Sequence, residues 1–285
     1  MRLPNGIIIL ALAVGPAFSQ TPRRAAAIAA VEPVRSDKVV TAIRITEKIN
    51  LDGLLEEPAW KLALPAKDFF SFEPRNGEPA IEPTEVRFLY DDDNLYVGAI
   101  CFDSDVAHMV VNQLTKDFPP SETDSFSVVI DGIHDGRGGY IFRANPAGAR
   151  SDGQSLDGQN NNDWDGVWDV KTSRNDESWI AEFVIPFKTL RFSQATSQEW
   201  GVNMTRRTLR INEETSWTHV PTRYRAVVRL SLAGTLKGLE NIHQGRNLKI
   251  KPFVTAGITQ VRNAGGMQTL QSLSRLKDYD GGFDV

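Results

Sequence analysis

The stretch TEVRFLYDDDNLYVGAICF, residues 84–102, decides the fold class. TEVRFLY alternates apolar and polar side chains, the two-residue period of a strand with one buried face. DDDN at 91–94 is turn chemistry, because short carboxylates and amides hydrogen-bond their own backbone. LYVGAICF then reads as the returning strand of a hairpin. Working outward, similar runs recur at DSFSVVID (124–131), GGYIFRAN (138–145), VWDVKTS (167–173), SWIAEFVI (178–185) and EWGVNMTRR (199–207). Turn residues separate them, and no helical period is sustained between them. The one clear helical candidate is EEPAWKLA (56–63), short and with Pro58 in its first turn. Short strands rich in Val, Ile, Phe and Tyr predict an all-β fold, an antiparallel, jelly-roll-like β-sandwich.

Composition bounds the function. The 285 residues are 41% hydrophobic and 24% charged, which supplies a core and excludes disorder or a fibrous repeat. A net charge of −4 argues against a nucleic-acid partner. The single Cys101 excludes an internal disulfide, a Cys-rich zinc site and a CxxC redox pair; within LYVGAICF it reads as buried and inert. The four histidines, 108, 134, 219 and 243, are too far apart for HExxH, and GxSxG, GxxxxGK[ST] and a helix-opening GxGxxG are missing. Among 36 acidic residues some carboxylate pair always exists, so glycoside-hydrolase chemistry has no sequence signal of its own.

The two ends differ from the body. Arg2, the apolar run Ile7 to Val14 and the small residues Ala17 and Ser19 predict a secretory leader over 1–19, and hence an exported protein. Pro16 interrupts a stretch already too short to span a membrane. The Ala-rich, Pro-bounded residues after it read as a linker to 37, followed by the sandwich over 38–235. From 236 to 285, LKIKPFVTAG and DYDGGFDV flank a turn at RNAGGMQ and read as the start of a second β region. This predicts that the sequence is a piece of a larger protein.

Function points to residues 143–169, RANPAGARSDGQSLDGQNNNDWDGVWD, a long polar stretch read as a loop from Pro146 to Gly166. An indole face stacks on the C–H face of a pyranose while Asp, Asn and Arg bind its hydroxyls. Trp164 is the candidate stacking platform, and Arg143 and Asn145 are candidate hydrogen-bonding partners. Trp168 opens a strand, where packing is the competing reading, and Trp217 after INEETS stands between packing and binding. Trp60, Trp179 and Trp200 read as structural, and Arg206, Arg207 and Arg210 as a solvated strand end. Asn161, Asp163 and Asp165, followed by Gly166, have oxygen ligands at the alternate spacing of a Ca²⁺ loop. The match is partial, and a solvated polar turn competes with it.

Several segments together resemble a family. LDGLLEEPAW (51–60), VRFLYDDDNLYVGAICFDSD (86–105), DSFSVVIDG (124–132), YIFRANPAG (140–148), SWIAEFVIPFKTLRF (178–192) and EWGVNMTR (199–206) resemble, in order, family 9 carbohydrate-binding modules of the xylanase-associated type. WDGVWDVKTS and IPFKTLRF are similar to large exported bacterial proteins in which such a module precedes an outer-membrane-type barrel. The resemblance implies a sandwich that binds polysaccharide or oligosaccharide ends, structural calcium, and association with O-glycosyl hydrolysis and carbohydrate catabolism. It implies a location in the periplasm, outer membrane or outside the cell, with the C-terminal barrel region as an internal partner. It also implies two sandwiching tryptophans, for which Trp164 or Trp168 and Trp217 stand as candidates. Two other readings compete: an adaptor domain of a barrel protein without a sugar ligand, and a glycoside hydrolase with no identifiable acid and base.

Overall fold

The computed structural model describes residues 36–156, 159–224 and 228–245, and the backbone of 251–260 and 275–284. The expected leader and nearly all of the expected linker lie outside the described residues. Strands β1 (Val39–Arg44), β2 (Phe70–Glu73), β3 (Thr84–Tyr90), β4 (Asn94–Phe102), β5 (Ser125–Asp131), β6 (Gly138–Ala144), β7 (Arg150–Leu156), β8 (Gln159–Asn161), β9 (Asp169–Arg174), β10 (Ser178–Pro186), β11 (Ser197–Thr208), β12 (Glu213–Ser216) and β13 (Gly234–Glu240) form the main body, with one helix, α1 (Pro58–Leu62), among the described residues.

The larger layer runs β8-β7-β6-β5-β11-β13-β1, with β12 beside β11 and β2 beside β12; the smaller runs β1-β3-β4-β10-β9. Strand β1 serves both. Val39 to Thr41 pair in parallel with β13, and Ala42 to Arg44 pair in parallel with β3. The other strand pairings of the described sandwich are antiparallel.

Alternate residues of each layer meet between them. Phe126, Val128 and Ile130 of β5 and Tyr140, Phe142 and Ala144 of β6 share one core with Val97, Ala99 and Cys101 of β4 and Ala181, Phe183 and Ile185 of β10. The Phe126 and Phe183 rings touch across the layers at 6.0 Å. Cys101 is buried and free, and burial pushes its thiol up to about 12, as an inert core residue requires. Trp60, Trp179 and Trp200 are buried as expected.

The smaller layer's outer face is covered by residues 45–63. Ile45, Ile49, Ala59, Trp60 and Ala63 pack on Leu89 and Tyr96. Gly98 admits the indole, since a Cβ there would lie 2.8 Å from Trp60 Cζ3. The turn that starts this cover is pinned by one carboxylate. Glu182 Oε2 accepts the backbone N–H of Asp52 at 3.0 Å and of Gly53 at 2.9 Å. Gly53 has φ +85°, and a Cβ there would meet the Thr172 carbonyl carbon at 2.9 Å, so only glycine fits. The LDG and WIAE segments are thus two halves of one contact.

Several segments differ from the sequence reading. Arg150–Leu156, expected within a loop, is strand β7, paired along the whole of β6. Its inward side chains Asp152 and Gln154 are polar, which hides the strand period. Glu213–Ser216, expected as a turn, is strand β12. β1 and β2 carry no clear pattern of their own. Strand β13 extends the sandwich to Glu240, beyond the expected boundary at 235. In the tail, β14 (Lys251–Gln260) and β15 (Arg275–Asp284) pair antiparallel as a separate two-stranded sheet.

Burial raises the Glu182 carboxyl from 4.5 to about 7, against the two backbone N–H groups that favour its charged form, and Glu57 and Asp52 push it further up. Its other oxygen, Oε1, is buried without a hydrogen-bond partner. The folded state therefore holds a proton that the unfolded chain releases near its ordinary value. Stability should fall as pH rises from below 4.5 through about 7, by at most about 3 kcal/mol. Denaturant titrations of the wild type and Glu182→Gln across this range check it; the variant should lose that part of the slope.

Candidate functional site

The outer face of the larger layer carries a row of polar side chains in register across five strands. Ser216 of β12 faces Thr205 of β11, Thr205 faces Ser127 of β5, Ser127 faces Arg143 of β6, and Arg143 faces Ser151 of β7. The four hydroxyl residues are buried and Arg143 is half-buried. Arg143 Nε donates to Ser127 Oγ at 3.0 Å. Its two terminal amino groups make no hydrogen bond or ion pair among the described residues. Burial lowers the pKa of this guanidinium, and the Glu214 carboxylate opposes the shift.

Beside this row lies a second one. Glu214 of β12 faces Arg207 of β11, which faces Ser125 of β5. Arg207 Nη1 stands 3.9 Å from Glu214 Oε2, and its Nη2 donates to Asn212 Oδ1 at 3.0 Å. Burial raises the Glu214 carboxyl; Arg207 pulls it down, Glu73 pushes it up and Arg143 pulls it down. On the other side the face turns apolar. Val129 and Ile141 are capped by Val228 and Leu230, and Leu232 and Tyr224 continue the cover onto Phe72. Tyr224 has the Arg223 and Arg229 guanidiniums each 5.0 Å from its ring centre.

Ser127 Oγ accepts from Arg143 Nε and Ser216 Oγ donates to Thr218 O at 2.7 Å, while the guanidinium fork presents two terminal amino groups as donors at fixed spacing. That is the complement of vicinal hydroxyl groups. Of the residues read from the sequence, Arg143 belongs to this shelf. Ser127, Thr205, Ser151 and Ser216 were not singled out; their signal is a polar residue between core residues, as in Phe126-Ser127-Val128.

The other candidates stand elsewhere. Asn145 Oδ1 accepts the N–H groups of Ala147 at 3.1 Å and Ala149 at 2.9 Å, and its Nδ2 donates to Gln113 O at 2.6 Å. It locks a turn and is fully buried, out of reach of a ligand. Trp168 is buried, stacked on Phe183 at 5.9 Å and 13°, with Phe142 edge-on at 5.3 Å. It closes the edge of the sandwich between the two layers. Trp217 is 2% exposed and packs on Gly234, where a Cβ would lie 2.5 Å from its Cζ3. Neither indole presents a free face. Trp164 is half-buried against Tyr140 at 4.9 Å, away from the Arg143 shelf on the inward side of β6. Arg206 is not a solvated strand end: it is 2% exposed, with Nη1 donating to Pro83 O at 3.0 Å and Nη2 3.5 Å from Asp103. Arg210 bridges Glu82 at 2.6 Å and Asp103 at 2.7 Å.

The expected calcium loop does not converge on a cation. Asn161 Oδ1 accepts the Asp163 N–H at 3.0 Å, and the Asp165 carboxylate is paired with the Lys116 ammonium. That ammonium also stands 3.6 Å from Asp152 and 3.8 Å from Asp117, so a positive charge already occupies the place. Among the described residues no group of three or more His, Cys, Asp or Glu side chains is placed to hold a metal. Asn161, Asp163 and Asp165 do not fit Ca²⁺.

The family model described as carbohydrate family 9 binding domain-like matches residues 51–219. No curated protein matches the chain. Among solved structures, a family 9 carbohydrate-binding module from Caldicellulosiruptor kristjanssonii in complex with cellotriose aligns with TM-score 0.52 and 15% identity, covering 72% of this chain and 96% of that one. The same organism's family 9 module in complex with glucose aligns with TM-score 0.50 and 14% identity, over 73% of this chain and 100% of that one. A candidate carbohydrate-binding protein from Bacteroides uniformis aligns with TM-score 0.59 and 13% identity, over 72% and 100%. At these identities the likeness is one of fold.

The packing of Trp168 predicts the outcome of its removal. Trp168→Ala should lower unfolding stability by about 3–5 kcal/mol, the cost of emptying a buried aromatic site. Chemical denaturation measures it; a change below about 1 kcal/mol would mean that the indole is not part of the core.

Proposed function

This chain belongs to the carbohydrate family 9 binding domain-like family, and we propose that it binds an oligosaccharide on the outer face of its larger sheet, at the Arg143 shelf. The observation that carries the reading is the half-buried Arg143 fork, with unpaired terminal amino groups, set in a row of four hydroxyl residues. Hydroxyl pairs of a sugar replace the water that such donors would otherwise hold, so the shelf selects for hydroxyl geometry rather than for charge alone. The cellotriose and glucose bound by the two Caldicellulosiruptor modules support a β-glucan or similar saccharide as the ligand class. The role is binding without catalysis, as a module that holds its protein on a polysaccharide undergoing O-glycosyl hydrolysis.

The same reading places the protein outside the cytoplasm. The leader read over residues 1–19 supports export, and the β-strand pattern after residue 250 supports a C-terminal barrel region in the outer membrane. A second reading, an adaptor domain with no sugar ligand, is favoured by one observation: Trp168 and Trp217, two of the three tryptophans expected as candidates for the stacking pair, are both core residues.

Calorimetric titration with cello- and xylo-oligosaccharides separates the two. Binding is expected, and Arg143→Gln should weaken it at least tenfold, the loss of charge-assisted hydrogen bonds worth roughly 1.5–3 kcal/mol, at unchanged melting temperature. No heat from the folded wild type would establish the adaptor reading, and equal affinity in the variant would remove the shelf from the site.

A further inference from the structure

We propose a second saccharide site on this chain, a cleft at one end of the sandwich that selects acidic sugars through Lys188 and Arg191. It is independent of the Arg143 shelf. Tyr140 points to the inward side of β6 and Arg143 to the outward side, three residues on.

Two adjoining clefts, of about 290 and 230 Å³, share Tyr140, Gln154 and Arg191 as a common wall. Trp164 and Gln244 line the first, and Lys188 leads from it into a third cleft of about 400 Å³. The run is long enough for more than one sugar ring. Trp164 is half-buried, its ring tilted on Tyr140 at 4.9 Å, and its remaining surface borders the cleft. Such an indole offers an apolar platform for the C–H face of a pyranose. Gln154 and Gln244 supply amides, one of which is already oriented: Gln244 Nε2 donates to Leu190 O at 3.0 Å, leaving its oxygen to accept.

The charge is what sets this cleft apart. Lys188 and Arg191 are exposed and make no ion pair or side-chain hydrogen bond among the described residues. The one carboxylate lining the first cleft, Asp165, is held by Lys116. Asp135, which lines the second, accepts the backbone N–H of Arg137 at 2.8 Å and of Gly138 at 3.3 Å. Among the described residues, two cations without an ion pair therefore flank a stacking platform, while the Asp135 carboxylate lines the second cleft and that of Asp93 the third. A uronic-acid chain carries both complements, a pyranose face and a carboxylate on each ring. The carboxylate matches the planar guanidinium fork of Arg191 and the point charge of Lys188. Neutral glucans would leave both cations unpaired.

The test is titration of the full chain with oligogalacturonates and with neutral cello-oligosaccharides. Oligogalacturonate should bind, less tightly as salt is raised from low to physiological strength. Lys188→Gln with Arg191→Gln should weaken it at least tenfold, with melting temperature unchanged because both side chains are exposed, and Arg191→Gln alone should give part of the loss. Arg143→Gln should leave it unaltered, and the double variant should leave neutral-sugar binding unaltered. Absence of oligogalacturonate binding by the folded chain would overturn the proposal. So would equal affinity in the double variant, or loss of acidic-sugar binding in Arg143→Gln. Failure of neutral sugars alone would count against the Arg143 shelf and not against this cleft.

Discussion

Phe142 and Arg143 are neighbours in the chain and lie on opposite faces of the larger sheet. The first is sealed between the layers, and the second stands over the hydroxyl row outside. The polar row on that face depends on the register that keeps β12, β11, β5, β6 and β7 aligned in this sense. A slip of one residue between any two strands would carry Arg143 or Ser127 inward and Phe126 or Phe142 outward. The apolar content of the inner face is therefore also what positions the polar row. Val228 and Leu230 add a second constraint, since their contact with Val129 and Ile141 makes even the outward face of β5 a buried surface. The shelf is cut into a covered sheet, which is why its hydroxyls are buried while Arg143 remains partly open.

The rest of the fold is closed by charge and aromatic groups at its margins. At one end Arg206, from the larger layer, reaches Asp103, which follows β4 of the smaller one, and Arg210 ties the same carboxylate to Glu82. Buried ion pairs of this kind add little net stability over apolar packing, but removing one partner leaves a stranded charge, so they fix the relative placement of the groups they join. At the open edge Trp168 is wedged between Phe142 and Phe183. The polar residues after β7 are held by an ammonium, Lys116, where the sequence pattern pointed to a divalent cation.

The hairpin over 84–102 and five further strands were legible because each combines alternating or apolar runs with turn residues at its ends, and the helix at Trp60 because Pro58 opens its first turn. The missed strands have separate physical reasons. β7 turns Asp152 and Gln154 inward, served by the Gly166 N–H and by Tyr140, so its inner face is polar and the period vanishes. β1 is divided between two sheets, and each half is too short to show a pattern. The tryptophans misled for a related reason. An aromatic residue beside Asp and Asn looks the same whether it stacks on a sugar or plugs a sandwich edge, and only the tertiary neighbours of Trp168 and Trp217 separate the cases. Arg143 was legible as a residue and not as a site, because the four hydroxyl residues in its row come from four other strands, and it bonds one of them, Ser127.

The proposed saccharide site rests on membership of the carbohydrate family 9 binding domain-like family and on the geometry of the Arg143 shelf. The most direct test is a crystal structure of the chain soaked with a cello-oligosaccharide. The account predicts sugar density over the outer face of the larger sheet, with hydroxyl oxygens on the terminal amino groups of Arg143. Density confined to another surface, with Arg143 contacting only solvent, would contradict it.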